Sequence, residues 1–395
     1  YLLGAVLLYG GYGTLDIILL SGRVQPEPVA WAAATLMTVG LLAKTALFPL
    51  HIWLPPAHAG APAAASAVLS ALVVKGSWFL VVRLWFDVLP GVVTLPSAQL
   101  LAGMGATAIV IGSVVALRQE RLKLLVAYST IAQIGYLFLM FPLAFDASGS
   151  TLMHGAVLNG GLLQAIAHAT AKAGMFMAAG LVYAALGHDR IADLGGVARA
   201  LPVTVLAFAV SGLALMGVVP SGAYLGEKLL LEAADSSGQW WWTVVLQGGA
   251  AFAAGYVVLV LSNALRRPVA PIKLVKRVSR LSEYAALALA LSSLLLAFAA
   301  RGPVPGSLVS NPLLPKELVP TLLVFLGGTL LALGLARRNL LGATANDGSL
   351  RSATVAVGKV FEQADAYLRR WSSAGLALLV LAAVFSWLMI SPGIE

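Results

Sequence analysis

Of the 395 residues, 41 are charged (25 Lys+Arg and 16 Asp+Glu, net +9), 60% are hydrophobic and none is cysteine, whereas ordinary soluble domains carry about 25% charged residues. At a mean hydropathy of +0.92 the chain cannot cover a water-facing surface, because exposed apolar area costs roughly 25 cal/mol per Å². Soluble enzymes, disordered chains, coiled coils and disulfide scaffolds are thereby excluded, leaving an all-α polytopic membrane protein whose basic residues belong to its loops rather than to a nucleic-acid interface.

The sequence opens on Tyr1 within an apolar run and without the charges of a signal peptide, which reads as a chain lacking its start. Stretches of about 20 apolar residues cross the hydrocarbon layer. Such stretches fall at 1–21, 29–50, 62–86, 99–117, 123–144, 161–186, 201–235, 240–265, 283–300, 319–336 and 373–390, about eleven spans. Two of them cannot be plain. Residues 201–235 would make roughly 50 Å of helix, and Pro220 between Gly217 and Gly222 interrupts it. Residues 29–58 follow the same design, with Pro49 just after Lys44 and then Pro55 and Pro56. Paired interrupted helices point to an ion path. Trp240 to Trp242 mark a membrane interface.

Between 337 and 372, Val357, Val360, Phe361, Ala364, Leu368 and Trp371 recur at helical spacing, with Lys359, Glu362, Asp365, Arg369 and Arg370 between them. This predicts an amphipathic helix along the membrane surface, with a solvated loop helix as the alternative. The organisation is then a transmembrane core over 1–336, a surface segment over 337–372 and a final span over 373–395.

Strict alternation through these spans sorts the positive charges. One side receives sixteen: Arg118, Arg121, Arg190, Arg199, Arg266, Arg267, Lys273, Lys276, Arg277, Arg280, Arg337, Arg338, Arg351, Lys359, Arg369 and Arg370. The other receives three: Arg23, Arg301 and Lys316. That asymmetry makes the first side cytoplasmic.

An ionisable group deep in a span costs at least ~2.5–3.5 kcal/mol, which makes it a functional candidate. Lys75 sits near the middle of 62–86, and Lys44 lies past the centre of 29–50. Lys172 lies near the centre of 161–186, with His168 one turn earlier on the same face and Gln164 one turn before that. Glu227 and Lys228 follow the Pro220 break. Burial penalises a charged form, so a neighbouring charge decides whether a proton stays, and imidazole titrates near neutrality without tuning. These properties suit a proton relay. Each lysine alone could equally serve as a structural partner of a carbonyl or of a carboxylate from another subunit. Lys123 and Arg121 read as interface anchors, His51 and His58 flank Pro55 and Pro56 as a candidate lid, and His154 and His188 are peripheral. There is no Walker A motif, no cysteine for an iron–sulfur cluster, and no metal or cofactor site is expected in this chain.

The run Lys44-Thr-Ala-Leu-Phe-Pro-Leu-His-Ile-Trp-Leu-Pro-Pro-Ala-His58, followed by Ala61-Pro62 and Ser66-Ala67, resembles the antiporter-like subunits of respiratory complex I, Mrp-type antiporters and membrane-bound hydrogenases. Leu122-Lys-Leu-Leu-Val-Ala-Tyr-Ser-Thr-Ile-Ala-Gln-Ile-Gly-Tyr136, Ala167-His-Ala-Thr-Ala-Lys172 and Gly222-Ala-Tyr-Leu-Gly-Glu-Lys228 extend the likeness over about residues 1–265. The resemblance implies that Lys44 is the lysine of the first broken helix, paired with a glutamate on an earlier helix absent from this sequence. It implies that Lys75 is the central relay lysine, that His168 and Lys172 form the connecting relay, and that Glu227 is the terminal group. A shift of one residue transfers that last role to Lys228. Gln164 stands where several members have a second histidine, and Pro220 where a double proline is common. The implied partners are other membrane subunits, and the implied location is a prokaryotic cytoplasmic membrane. Two alternatives stay open: a non-conducting energy-coupling or assembly protein, and a stand-alone transporter of an organic substrate.

Overall fold

The computed structural model describes residues 1–146, 148–153, 155–268, 272–299, 319, 322–332, 348–368 and 370–390. The regular elements among them are helices, and besides short turns at Ile17–Leu20, Ile191–Asp193 and Val197–Ala200 they are α1 (Leu2–Tyr12), α2 (Pro28–Thr45), α3 (Leu54–Gly60), α4 (Ala63–Val88), α5 (Leu95–Leu117), α6 (Leu122–Leu143), α7 (Ala156–Leu186), α8 (Pro202–Leu215), α9 (Gly222–Ser236), α10 (Trp240–Leu265), α11 (Arg280–Ala299), α12 (Leu322–Ala332), α13 (Gly348–Leu368) and α14 (Trp371–Ile390). Eight are long and apolar enough to cross a membrane, namely α2, α4, α5, α6, α7, α10, α11 and α14. The expected spans near 1–21, 201–235 and 319–336 are represented by the shorter apolar helices α1, α8 and α12. His154, Arg301, Lys316, Arg337, Arg338, Arg369 and the expected boundary at 336/337 lie outside the described residues.

Local chemistry sets the helix ends. Pro28 and Pro202 open α2 and α8 at positions whose N–H has no helical partner. Thr94 caps α5 through a reciprocal pair with Ser97, and Ser221 caps α9 by accepting from the Tyr224 N–H at 3.1 Å. α2 stops at Thr45, earlier than the expected 50, and α8 stops at Leu215. Each stop follows from a proline downstream, since Pro49 and Pro220 would clash with the carbonyls of Thr45 and Met216, four residues earlier. Both interruptions are real, over 46–53 and 216–221, and both contain a cis X-Pro peptide.

α6 is the axis of the molecule, with 94% of its span buried. It lies close against α5, where a side chain at Gly112 would stand 2.7 Å from the Ala132 nitrogen. α7 packs on α8, α9 and α11, and α2 on α1, α4 and α14. Outward apolar side chains such as Ile18, Leu72, Val244, Leu295 and Leu379 are more than half exposed, a surface suited to lipid.

The ends sort into two faces. Arg118 pairs with Glu362, Arg121 with Asp189, and Arg266 donates to the Ala192 carbonyl. These contacts gather the basic loops at one end. At the other, Thr94 donates to the Leu388 carbonyl, and Gln239 joins Gln99 to the Pro142 carbonyl. Strict alternation therefore holds across α5, α6, α7 and α10, and the end of α14 lies opposite the basic face.

Candidate functional site

Lys75 is 7% exposed. The helix around it is locally widened, because Leu69–Val73 forms a π-helical turn, a device that recurs at functional sites. Its ammonium donates to the carbonyl of Ser70, at the start of that turn. Ser70 in turn meets Thr130 of α6, oxygen to oxygen at 3.2 Å.

On α7, Gln164, His168 and Lys172 follow one another at four-residue intervals, a single helix face, and they are 3%, 1% and 0% exposed. The Lys172 ammonium donates to the Ser129 hydroxyl at 2.6 Å and lies 5.8 Å from the centroid of the Tyr256 ring. Around them, both ring nitrogens of His168, Oε1 of Gln164 and Oε1 of Gln133 are buried without a protein partner among the described residues. Buried polar groups require hydrogen bonds, so this interior is chemically suited to water rather than to dry packing.

Beyond this row lies the second break. Glu227 is half-buried in α9, and its carboxylate lies against Gly217, where a side chain would come within 2.7 Å of Oε2. Gly217 has φ +68°, and the absent side chain leaves room for the carboxylate. Lys228 turns toward the Tyr224 ring, 6.0 Å from its centroid.

Lys44 departs from the expected burial, since its side chain is exposed. Along α2, Gly11 lies on Val29, Gly4 on Met37 and Tyr1 on Gly40. Lys44 stands one turn past Gly40, so the cover given by α1 stops short of it. It occupies the last turn of its half-helix, where the exposed carbonyl ends favour a cation.

The expected lid is also corrected. His51 and His58 are 1% and 0% exposed, and His58 sits in helix α3, stacked on Phe176 at 4.3 Å. Lys123 is 7% exposed rather than an anchor in the headgroups. It donates to the Ala61 carbonyl at 2.6 Å and so ties α6 to the connection between α3 and α4.

Sequence reasoning passed over Ser129, Gln133, Tyr256 and Asp365. The first three are neutral and carried no insertion cost to flag them. Asp365 had a signal, because it lies one turn from both Phe361 and Leu368 on the apolar stripe.

A family profile described as NADH:quinone oxidoreductase/Mrp antiporter, transmembrane, matches residues 1–253. NADH-quinone oxidoreductase subunit N of Desulforudis audaxviator is 33% identical over 269 residues, covering 67% of this chain and 52% of that protein. A probable K(+)/H(+) antiporter protein of Rhizobium meliloti is 35% identical over 229 residues, covering 58% of this chain and 22% of that protein. Respiratory complex I from Thermus thermophilus contains a chain with TM-score 0.63 and 25% identity, covering 83% of this chain and 65% of that one. The Mrp complex from Dietzia sp. DQ12-45-1b shares the fold at TM-score 0.64 and 20% identity, covering 85% and 66%. The chain spans about half the length, or less, of the curated relatives it matches.

Proposed function

The chain belongs to the NADH:quinone oxidoreductase/Mrp antiporter transmembrane family, and on that premise we propose that it is a proton-translocating, or cation/proton-exchanging, subunit of a multi-subunit membrane complex. It is a multi-pass protein of the cytoplasmic membrane. The observation that carries the reading is the buried row of Lys75, His168 and Lys172 beside orphaned polar atoms, with Glu227 at the following helix break. Low dielectric leaves the interaction between such groups unscreened, so a proton on one changes the energy of a proton on the next. Protons hop through the row by way of water and hydroxyls, with the Ser129 hydroxyl accepting from Lys172, while the Lys75 ammonium is held on the Ser70 carbonyl.

In this scheme Lys75 and Lys172 hold protons, His168 passes them between the two, and Glu227 exchanges them at the break. Lys44 meets a carboxylate supplied from outside the described bundle, in keeping with its exposure. The chain supplies the path and holds no cofactor of its own, and the driving energy comes from partner subunits or an ion gradient.

The test is proton flux into proteoliposomes under a potassium diffusion potential. Lys75→Ala or Lys44→Ala abolishes flux while insertion and assembly persist, and Glu227→Gln does so where Lys228→Gln does not. Undiminished flux in both lysine variants defeats the reading in favour of a non-conducting coupling role.

A further inference from the structure

The surface helix α13 carries an acid that faces the protein. Phe361 packs against the core of the bundle, Ala364 and Leu368 are half-buried, and Asp365 lies among them with 1% exposure. Its Oδ1 is 2.9 Å from Nε2 of His51, and its Oδ2 accepts from the Tyr128 hydroxyl at 2.8 Å. His51 stacks on Phe48 with centroids 5.2 Å apart, and its other nitrogen, Nδ1, is buried without a protein partner among the described residues. The imidazole stands in the first helix break, two residues after Pro49 and seven after Lys44.

Anchoring alone does not account for this arrangement. α13 already has an anchor one turn away, where Arg118 grips Glu362 through two hydrogen bonds of 2.6 and 3.1 Å. A buried carboxylate–imidazole contact is no more stabilising than apolar packing of the same volume. Chemistry accounts for it better. A carboxylate beside Nε2 keeps the proton on that nitrogen and leaves the lone pair on Nδ1, while the Tyr128 hydroxyl fixes the carboxylate in place.

We propose that His51 is a proton-accepting group of the path at the basic face, and that Asp365 is its positioning residue, delivered by the surface helix. The inference rests on the transport reading above. In the step, Nδ1 of the ring takes one proton from a protonated water, leaving H2O behind, and the ring becomes an imidazolium paired with the Asp365 carboxylate. The same proton is then released from Nδ1 toward the break, and no other bond changes.

Proton flux of the full chain in proteoliposomes, under a potassium diffusion potential, tests it. Asp365→Asn lowers flux roughly tenfold or more, as loss of an oriented acid–base partner does, and Asp365→Glu restores much of it. Arg118→Ala, which loosens the outer anchor only, retains flux. Nitrogen-15 spectra of the five histidines find His51 as the Nε2–H tautomer in the unaltered protein, a readout independent of whether any variant folds. Wild-type flux in Asp365→Asn, equal loss in Arg118→Ala, or an Nδ1–H tautomer each overturns the proposal. If Lys75→Ala also conducts normally, the transport reading itself has failed; if only Asp365→Asn does, this inference alone has.

Discussion

Lys172 is completely buried, and Ser129 accepts its hydrogen bond at 2.6 Å. Removing only the acceptor leaves a buried donor unsatisfied, which costs roughly 1–3 kcal/mol, whereas replacing the lysine itself by an apolar isostere is nearly neutral. Ser129→Ala is therefore expected to lower the thermal midpoint in detergent by several degrees, and Lys172→Met to leave it nearly unchanged while ending proton flux. Equal midpoints for the two variants would refute this account of Ser129. Asp146, in the loop after α6, provides a pH-dependent contrast. Hydrogen bonds from Ser148, and then from the N–H groups of Thr151, Ser150 and Gly149, hold its carboxyl below the usual range. Because the folded state prefers the ionised form, the stability it lends the loop is present above the ordinary carboxylate range. That stability is lost as pH falls through the depressed value. Carboxyl NMR should find Asp146 titrating low, and Ser148→Ala should move it upward. At this scale the lysines were legible because charge in a span is rare, while Ser129 and Tyr256 were not, because a neutral side chain leaves no mark until its neighbours are known.

The breaks are legible as elements, since a proline removes a helical hydrogen bond and clashes with the carbonyl four residues before it, kinking or breaking the helix. Their interior is not. Ala46 closes α2 with φ 60° and 0% exposure, a conformation that costs a non-glycine residue roughly 1–2 kcal/mol. Ala46→Gly is expected to be neutral or stabilising by up to about 1 kcal/mol, and Ala46→Val to be destabilising by more than that. Chemical unfolding in mixed micelles would show the opposite order if the backbone were unstrained. Between α5 and α6, Gly112→Val places carbon where the Ala132 backbone already lies 2.7 Å away. That overpacking costs typically 1–3 kcal/mol, and reduced yield of monodisperse protein would reveal it. Small residues are ordinary within membrane spans, so nothing in the sequence marks Gly112, and only the crossing of α5 and α6 makes the position specific. The amphipathic stripe of α13 was plain from its period of 3.6, but the acid within the stripe was read as part of the polar face.

For the whole molecule, the contacts at the two ends carry a topological prediction. The chain has no cysteine, so single cysteines report sidedness without background. Cysteines at Glu120 and Lys276 should react with an impermeant maleimide from the cytoplasmic face, and those at Gly91 and Ser236 from the opposite face. Labelling of any of the four from the wrong side would break the alternation read from Arg121–Asp189 and from Gln239 with Gln99. The sequence alone determined that this chain lives in lipid, where most of its helices lie, which face is basic and that charges interrupt its apolar stretches, because hydrophobicity, proline sterics and the insertion cost of charge act locally along the chain. Tertiary structure alone decided that Lys44 is exposed while Lys75 and Lys172 are not, that Lys172 bonds Ser129, and that Asp365 meets His51 across 314 residues of chain. Those pairings depend on which helix faces pack together, and that is set by the summed fit of many small contacts rather than by any residue's own preference.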